Sequence, residues 1–329
     1  MTIVPRIAAV VIGRNEGARL VRCLVSLKDQ VDQIVYVDSG STDNSLAAAI
    51  DAGATTVELD TNTPFTAARA RNAGFEILNA ASPKTEFVQF VDGDCVVEQG
   101  WIASAAQALS ENQSLGIVTG WRRETDVSAS VYNAMFEVEW HRPAGLIKAC
   151  GGDMMVRFDV FQSVGGFNPN VIAAEDDEFC VRVRKSGKEI ERLPLQMTLH
   201  DAAMTRLSQW WRRTLRSGHG FAQVGHLHPE HFASERRRVW VYGGFLPLLV
   251  IIGLTSGPKW LLIPVAAAYV LSYWRTVSGL RKLDLGLRDA LHQSLFLTLS
   301  KIPNMIGMLT YWFRHFRGAP MRIIEYKHV

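Results

Sequence analysis

One pattern repeats from Arg6 to Arg123: a short apolar run closed by glycine or an acid, then a segment with apolar residues three and four apart. The runs are "RIAAVVIG", "QIVYVDSG", "TTVELD", "EFVQFVDGDCVV" and "LGIVTGWRR". They read as strands, and a run apolar at every position suits a strand covered on both faces. Between them, "NEGARLVRCLVSL" brings Leu20, Cys23, Leu24 and Leu27 to one helical face, with Asn15 as a candidate cap. "STDNSLAAAIDAG" has a Ser/Thr start and a Gly stop. This alternation predicts an α/β fold: a mostly parallel sheet with helices on both faces.

The rest of the 329 residues read differently. Residues 239–254 and 260–274 are two apolar runs, each short of the about 20 residues that span a bilayer but extendable at their flanks. Gly257-Pro258 between them predicts a helical hairpin. Arg236, Arg237 and Arg238 precede it, and Arg275, Arg281, Lys282 and Arg288 follow. Both basic clusters therefore lie on one side, the cytoplasmic side by the positive-inside rule. A third stretch, 291–313, carries Lys301 and Pro303 in its middle and is expected to be an interfacial or re-entrant helix. The expected domains are 1–235, globular and cytoplasmic, and 236–329, helical and attached to the cell's inner membrane. Cys23, Cys95, Cys150 and Cys180 are far apart, with no CxxC pair, and read as small core residues of a reducing compartment. No nucleic-acid partner is expected.

In an open α/β sheet, ligands bind beyond the carboxyl ends of the strands. Polar residues collect there: Arg14, Asn15 and Glu16, then Asp38 and Ser39, then Asp60, then Asp92 and Asp94. Two carboxylates one residue apart repel each other, and a divalent metal between them would relieve that while leaving open positions for a diphosphate. Neither a GxGxxG nor a P-loop lysine motif occurs, so a dinucleotide enzyme or a kinase is not suggested.

The segments "VVIGRNEG", "IVYVDSGSTDNS", "AARARNAG", "FVDGDC", "GGDMMVR" and "AEDDEFC" resemble, in order and spacing, the family 2 glycosyltransferases, which have the GT-A (Rossmann-like) fold. The resemblance covers roughly residues 5–220. It implies an inverting, metal-dependent transfer of a sugar from a nucleotide-diphosphate donor, with uracil the usual base. It places Arg14, Glu16, Asp38 and Arg71 at the nucleotide, with Gly151 and Gly152 beside the donor. Asp92 and Asp94 match the DxD pair, with Mg²⁺ or Mn²⁺ as cofactor and His200 completing the metal shell. Asp153 and Glu175 are expected at the sugar and acceptor pocket, and Asp176 as the base that takes the acceptor's proton, with Asp177 as runner-up. "SQWWRRTLRSGHG" resembles the QxxRW element of processive members but has Arg213 where Trp is expected, which puts polymer synthesis in doubt. Arg212 and Arg213 are expected at the acceptor side, where one or the other meets a phosphate of donor or acceptor. The membrane segment implies a lipid or polyprenyl-linked glycan acceptor, as in envelope polysaccharide assembly. Two rivals are a nucleotidyltransferase, which would need a basic phosphate loop early in the chain, and a non-catalytic sugar-nucleotide scaffold.

Overall fold

The computed structural model describes residues 5–80 and 85–326. The chain forms two compact units: 1–126 with 139–202, and 127–138 with 203–329. The boundary drawn from composition at residue 235 lies inside the second unit. Composition marks where the apolar runs begin, whereas packing marks which segments share a core.

In the first unit, β1 (Ile7–Gly13), α1 (Ala18–Leu27), β2 (Gln33–Asp38), α2 (Ser45–Asp51), β3 (Thr55–Glu58), α3 (Ala67–Ala80) and β4 (Phe87–Asp92) follow the expected alternation. The expected fourth strand breaks at Gly93, and Cys95–Val97 forms a separate β5. Then come α4 (Trp101–Glu111), β6 (Leu115–Glu124), α5 (Val131–Trp140), β7 (Gly145–Leu146), β8 (Met154–Arg157), α6 (Phe158–Ser163), α7 (Glu175–Lys185) and β9 (Glu189–His200). α5 runs from the second unit into the first.

The sheet order is β3-β2-β1-β4-β8-β6-β9-β5, with β7 beside β9. β3, β2, β1 and β4 are parallel, as expected, and so are β6 and β9. The β4–β8, β6–β8, β5–β9 and β7–β9 pairs are antiparallel, so the sheet is mixed rather than mostly parallel. β8 runs antiparallel to both of its neighbours, β4 and β6, so β6 and its parallel partner β9 keep the direction of β1–β4. Alternate residues of β1 divide between two cores. Ala9 and Val11 face the cluster holding Leu20, Leu24, Trp101 and Leu109. Ala8, Val10 and Ile12 face the one holding Phe75, Phe90, Phe161 and Phe179. The four cysteines are free and buried.

The second unit contains α8 (Leu207–Leu227), α9 (Ala233–Val239), a π-helical turn at Trp240–Phe245, α10 (Leu246–Thr255), α11 (Leu262–Arg281), α12 (Leu287–Leu299) and α13 (Lys301–Phe316). The stretch 291–313 is thus two helices, not one. α12 packs on α11 through Val277, Leu280 and Ala290. α13 packs on α8 and α9, with Ala222, Val239, Met305, Met308 and Tyr311 in its core. α8 and α13 approach closely because a Cβ at Gly218 would overlap the Asn304 backbone, and one at Gly307 the Leu215 carbonyl. Two continuous segments, Ala233–Thr255 and Lys259–Arg281, are long and apolar enough to cross a membrane by length and composition.

Candidate active site

The carboxyl ends of β1, β2 and β4 lie side by side, with Gly13 in register with Asp38 and Ile12 with Asp92. Asn15 is not the cap of α1. Its backbone is left-handed, and its Oδ1 accepts from Thr42 N while its own N donates to Ser41 Oγ, tying the first two strand-end loops together. Asp38 is buried, and its carboxylate accepts from Gly40 N, Ser41 N, Ser41 Oγ and Tyr36 Oη at 2.5–2.9 Å. Burial beside Asp38 pushes the Tyr36 phenol up, so it stays a donor. Glu16 is buried and pairs with Arg19 at 2.8 Å, and the Arg14 guanidinium lies 5.2 Å over the Phe65 ring. Asp60 closes its own turn by accepting from Asn62 N.

The centre of the site is a chain of alternating charges. Arg71, buried on α3, donates to Asp92 Oδ1 and Glu175 Oε1, each at 2.8 Å. It lies so close to Gly152 that a Cβ there would overlap its guanidinium. Arg122 of β6 reaches the other Asp92 oxygen at 3.2 Å and pairs with Asp153, while its guanidinium sits 5.1 Å over the Trp140 ring. Burial alone would lower the Arg122 pKa, but Asp153 and Asp92 more than offset it, and the net shift is upward. Asp153, expected to line the pocket, is buried; it accepts from Arg122, from Thr198 Oγ1 and from the Asp92 backbone N. Glu175, expected in the same pocket, is likewise buried in its pair with Arg71.

The two aspartates of Asp92-Gly93-Asp94 therefore have separate surroundings. Asp92, expected to share an ion with Asp94, has its oxygens on two arginines. Asp94 is buried, with Oδ2 3.3 Å from His200 Nε2. Asp94, Cys95 and His200 bring their candidate ligand atoms within 4.8 Å of one another. Burial pushes the Cys95 thiol well up, with Arg122 opposing, so it is a poor ligand for a hard cation. A carboxylate and an imidazole facing each other suit Mn²⁺ better than Mg²⁺, which prefers an all-oxygen shell. The His200 pKa is raised: burial lowers it, and Asp94 and Glu124 more than compensate.

Asp176 stands apart from the paired acids. Ala174 adopts a left-handed backbone, φ 57°, and turns the chain into the first residues of α7. Asp176 is half-buried and lies toward Gly151, 3.9 Å from where a Cβ there would be. Burial, then Glu175 and Asp177, push its pKa well above the usual carboxylate range, against the pull of Arg71. Glu178 is held by Arg182 at 2.8 Å and is not a competing base.

Arg212 and Arg213 lie on α8, in the second unit. Arg212 is exposed, and the Arg213 guanidinium stacks 4.3 Å over Phe136. Gln209 of the same segment accepts from Thr205 N and Arg206 N and so closes the start of α8. Sequence reasoning missed Arg122, Glu124 and Trp140. The signal was present: "GWRRE" puts Arg122 and Glu124, two apart, at the carboxyl end of a strand, the location already marked as significant for the earlier strands.

Residues 9–164 match the model of glycosyl transferase family 2, and residues 134–206 that of the N-terminal domain of galactosyltransferase. A TPR repeat-containing protein of Synechococcus elongatus is 31% identical over 138 residues, 42% of this chain. An uncharacterized glycosyltransferase of Rickettsia felis is 45% identical over 49 residues, 15% of this chain. The chain spans only 32% and 17% of those relatives' lengths. Among solved structures, the mannosyltransferase PcManGT of Pyrobaculum calidifontis, in complex with GDP-Man and Mn²⁺, superposes with a TM-score of 0.60 at 16% identity, covering 94% of this chain and 88% of that one. S. aureus TarS 1–349 gives 0.51 at 16% identity, covering 96% and 93%. At such identities the shared property is the fold.

Proposed function

This chain carries a family 2 glycosyltransferase domain of the GT-A fold, and on that premise we propose that it transfers one sugar, with inversion, from a UDP-sugar to a membrane-held acceptor. The observation that carries this reading is Asp176: an acid with a raised pKa beside Gly151, next to Glu175, which shares Arg71 with Asp92. Inverting transfer needs one carboxylate to take the acceptor hydroxyl's proton as that oxygen attacks the anomeric carbon. Asp176 is that base. Arg71 and Arg122 fix Asp92, and Asp153 fixes Arg122, so the floor of the donor site is set before substrate arrives. Arg14, Glu16 and Asp38 form the nucleotide side.

Asp94 and His200 would hold Mn²⁺ or Mg²⁺, and that ion supplies Lewis-acid stabilisation of the departing diphosphate. The PcManGT and mycobacterial glucosyl-3-phosphoglycerate synthase structures, in complex with Mn²⁺ and a nucleotide sugar, support this assignment.

The second unit supports a lipid or polyprenyl-linked acceptor. Its two apolar segments are only 17% and 11% buried over their most apolar windows, which argues against core helices of a soluble protein. Each is 23 residues, about 34 Å of helix, enough for a hydrocarbon core of about 30 Å. We place the catalytic unit on the cytoplasmic side of the inner membrane. The role is in envelope polysaccharide assembly.

The test is thermal stabilisation of the full-length protein by UDP-, GDP-, TDP- and CDP-sugars, each with Mn²⁺ and with chelator. At a ligand concentration of 100 Kd the gain is about 2.7 kcal/mol. Mn²⁺-dependent stabilisation by a UDP-sugar, lost in Asp94→Asn, is expected. A response to GDP-sugars alone changes the donor, and none to any nucleotide favours the scaffold reading. For the acceptor, transfer to a membrane lipid extract should exceed transfer to water-soluble glycans.

A further inference from the structure

Glu124 closes β6 and has no role in the reading above. Its side chain is 0% exposed. In the parallel β6–β9 pairing it stands in register with His200, and its Oε2 lies 3.3 Å from His200 Nδ1. Its oxygens also accept from Ala202 N at 3.2 and 3.3 Å. The Trp140 ring meets the imidazole edge-on at 4.8 Å, so the ring is confined from the side as well.

A carboxylate can only accept, so the contact with Glu124 requires the proton on His200 Nδ1. In the neutral ring Nε2 then carries a lone pair, and it faces Asp94 Oδ2 at 3.3 Å. Two acceptors that close need a positive group between them, a proton on Nε2 or a cation.

We propose that Glu124 is a positioning residue for the metal site: it fixes the tautomer and orientation of His200, so that Nε2 and Asp94 Oδ2 present themselves together to a divalent cation. This rests on the metal reading of Asp94 and His200. Carboxylate–histidine pairs of this kind commonly change metal affinity 10- to 100-fold when broken.

The experiment is Mn²⁺ binding to the full-length protein without nucleotide, by calorimetry and electron paramagnetic resonance. Wild type, Glu124→Gln, Glu124→Ala, His200→Ala and the Glu124→Gln/His200→Ala double variant are compared, with apo thermal unfolding as a folding control. Imidazole coordination gives a nitrogen modulation on the Mn²⁺ signal, a readout that mere strand packing would not move. Expected is a roughly 10- to 100-fold weaker affinity and a diminished nitrogen signal in Glu124→Gln, with apo unfolding near wild type. His200→Ala should lose the nitrogen signal outright, and the double variant should bind no worse than His200→Ala. Glu124→Ala provides the same comparison if Gln retains part of the contact through its carbonyl. Wild-type affinity and nitrogen signal in both Glu124 variants, with both lost in His200→Ala, would overturn the role of Glu124 while keeping the metal site. Losses that multiply in the double variant would also overturn it. If His200→Ala itself binds Mn²⁺ like wild type, the metal reading fails and takes this inference with it.

Discussion

In the first unit, Arg122 has 15% of its side chain exposed and meets two carboxylates, Asp92 and Asp153; in the second, Arg238 has 57% exposed and meets one, Glu235, at 2.8 Å. Apolar groups show the reverse. Val10, Val11, Phe90 and Trp101 of the first unit are buried, while Phe245, Leu248, Ile251, Leu254, Ile263 and Leu271 of the second are exposed. One unit places charge inside and can use it for chemistry, because a low-dielectric surround strengthens each ionic contact. The other places charge and hydrocarbon outside, where they can meet a membrane.

The sharpest way to press the contrast is through Asp176, the acid beside the buried network whose pKa is raised. Asp176→Asn should lower kcat by about 10³- to 10⁴-fold, in the upper range for a general base, while leaving Mn²⁺-dependent donor stabilisation in place. Wild-type activity should fall on acidification at a pH above the ordinary Asp value of 3.8. A carboxyl whose folded pKa is raised adds stability below its unfolded value, and that stability is lost as pH rises through the folded pKa. The charged Asp176 is thus a burden at neutral pH. The inactive variant should melt higher at pH 7, by about 2–4 °C per kcal/mol relieved, with the difference shrinking toward pH 4. Full activity in Asp176→Asn would sink the assignment and revive the nucleotidyltransferase reading.

Next in size is Arg122→Met. Removing one partner from a buried ion pair costs about 3–5 kcal/mol, since the remaining charges stay buried. The expected signs are a lower melting temperature and weakened donor binding, both persisting in 1 M salt. Unchanged stability would mean that Asp92 and Asp153 are held well enough without it.

Residues at the strand ends were legible one at a time, but of the ion-pair network itself the strand-end rule reached only Asp92. The strand-end rule found Arg14, Glu16, Asp38, Asp92 and Asp94, and the first four strands fell where their apolar runs lie. What could not be read was pairing across the chain. Arg71 is 21 residues from Asp92 and Arg122 is 30, so nothing local says that both reach one carboxylate and leave Asp94 to His200. The direction of β8 was equally hidden, because an apolar run of four has no polarity along the sheet. The division of 291–313 at Ser300 depends on α12 and α13 having different partners, α11 for one and α8 for the other.

Smaller again is the effect expected from the outer apolar face of the second unit. Ile251→Asp or Leu271→Asp places a charge on an exposed position of α10 or α11. At the centre of a spanning helix, where Leu271 lies, that costs about 2.5–3.5 kcal/mol, and less nearer the end, where Ile251 lies. The variants should float less with liposomes, while donor stabilisation in detergent stays at the wild-type level. If flotation is unchanged and donor binding falls instead, that face serves internal packing and not a bilayer.

The smallest effect belongs to the exposed counterpart of Arg122. Arg238 and Glu235 sit one helical turn apart, with 57% and 35% of their side chains exposed. Such a pair contributes about 0–1 kcal/mol, because solvent screens it and both side chains lose freedom in forming it. Arg238→Ala should therefore shift the melting temperature of detergent-solubilised protein by no more than about 2–4 °C. Whatever shift appears should vanish in 1 M salt, where the screening length is about 3 Å. The same salt should leave the Arg122→Met deficit intact, since ions do not enter a site whose arginine is 15% exposed and whose Asp153 is 1% exposed. Salt thus separates the two arginines by location rather than by charge. An Arg238 effect as large and as salt-resistant as that of Arg122 would show that the second unit, too, holds charge in a buried network, and the contrast between the units would fail.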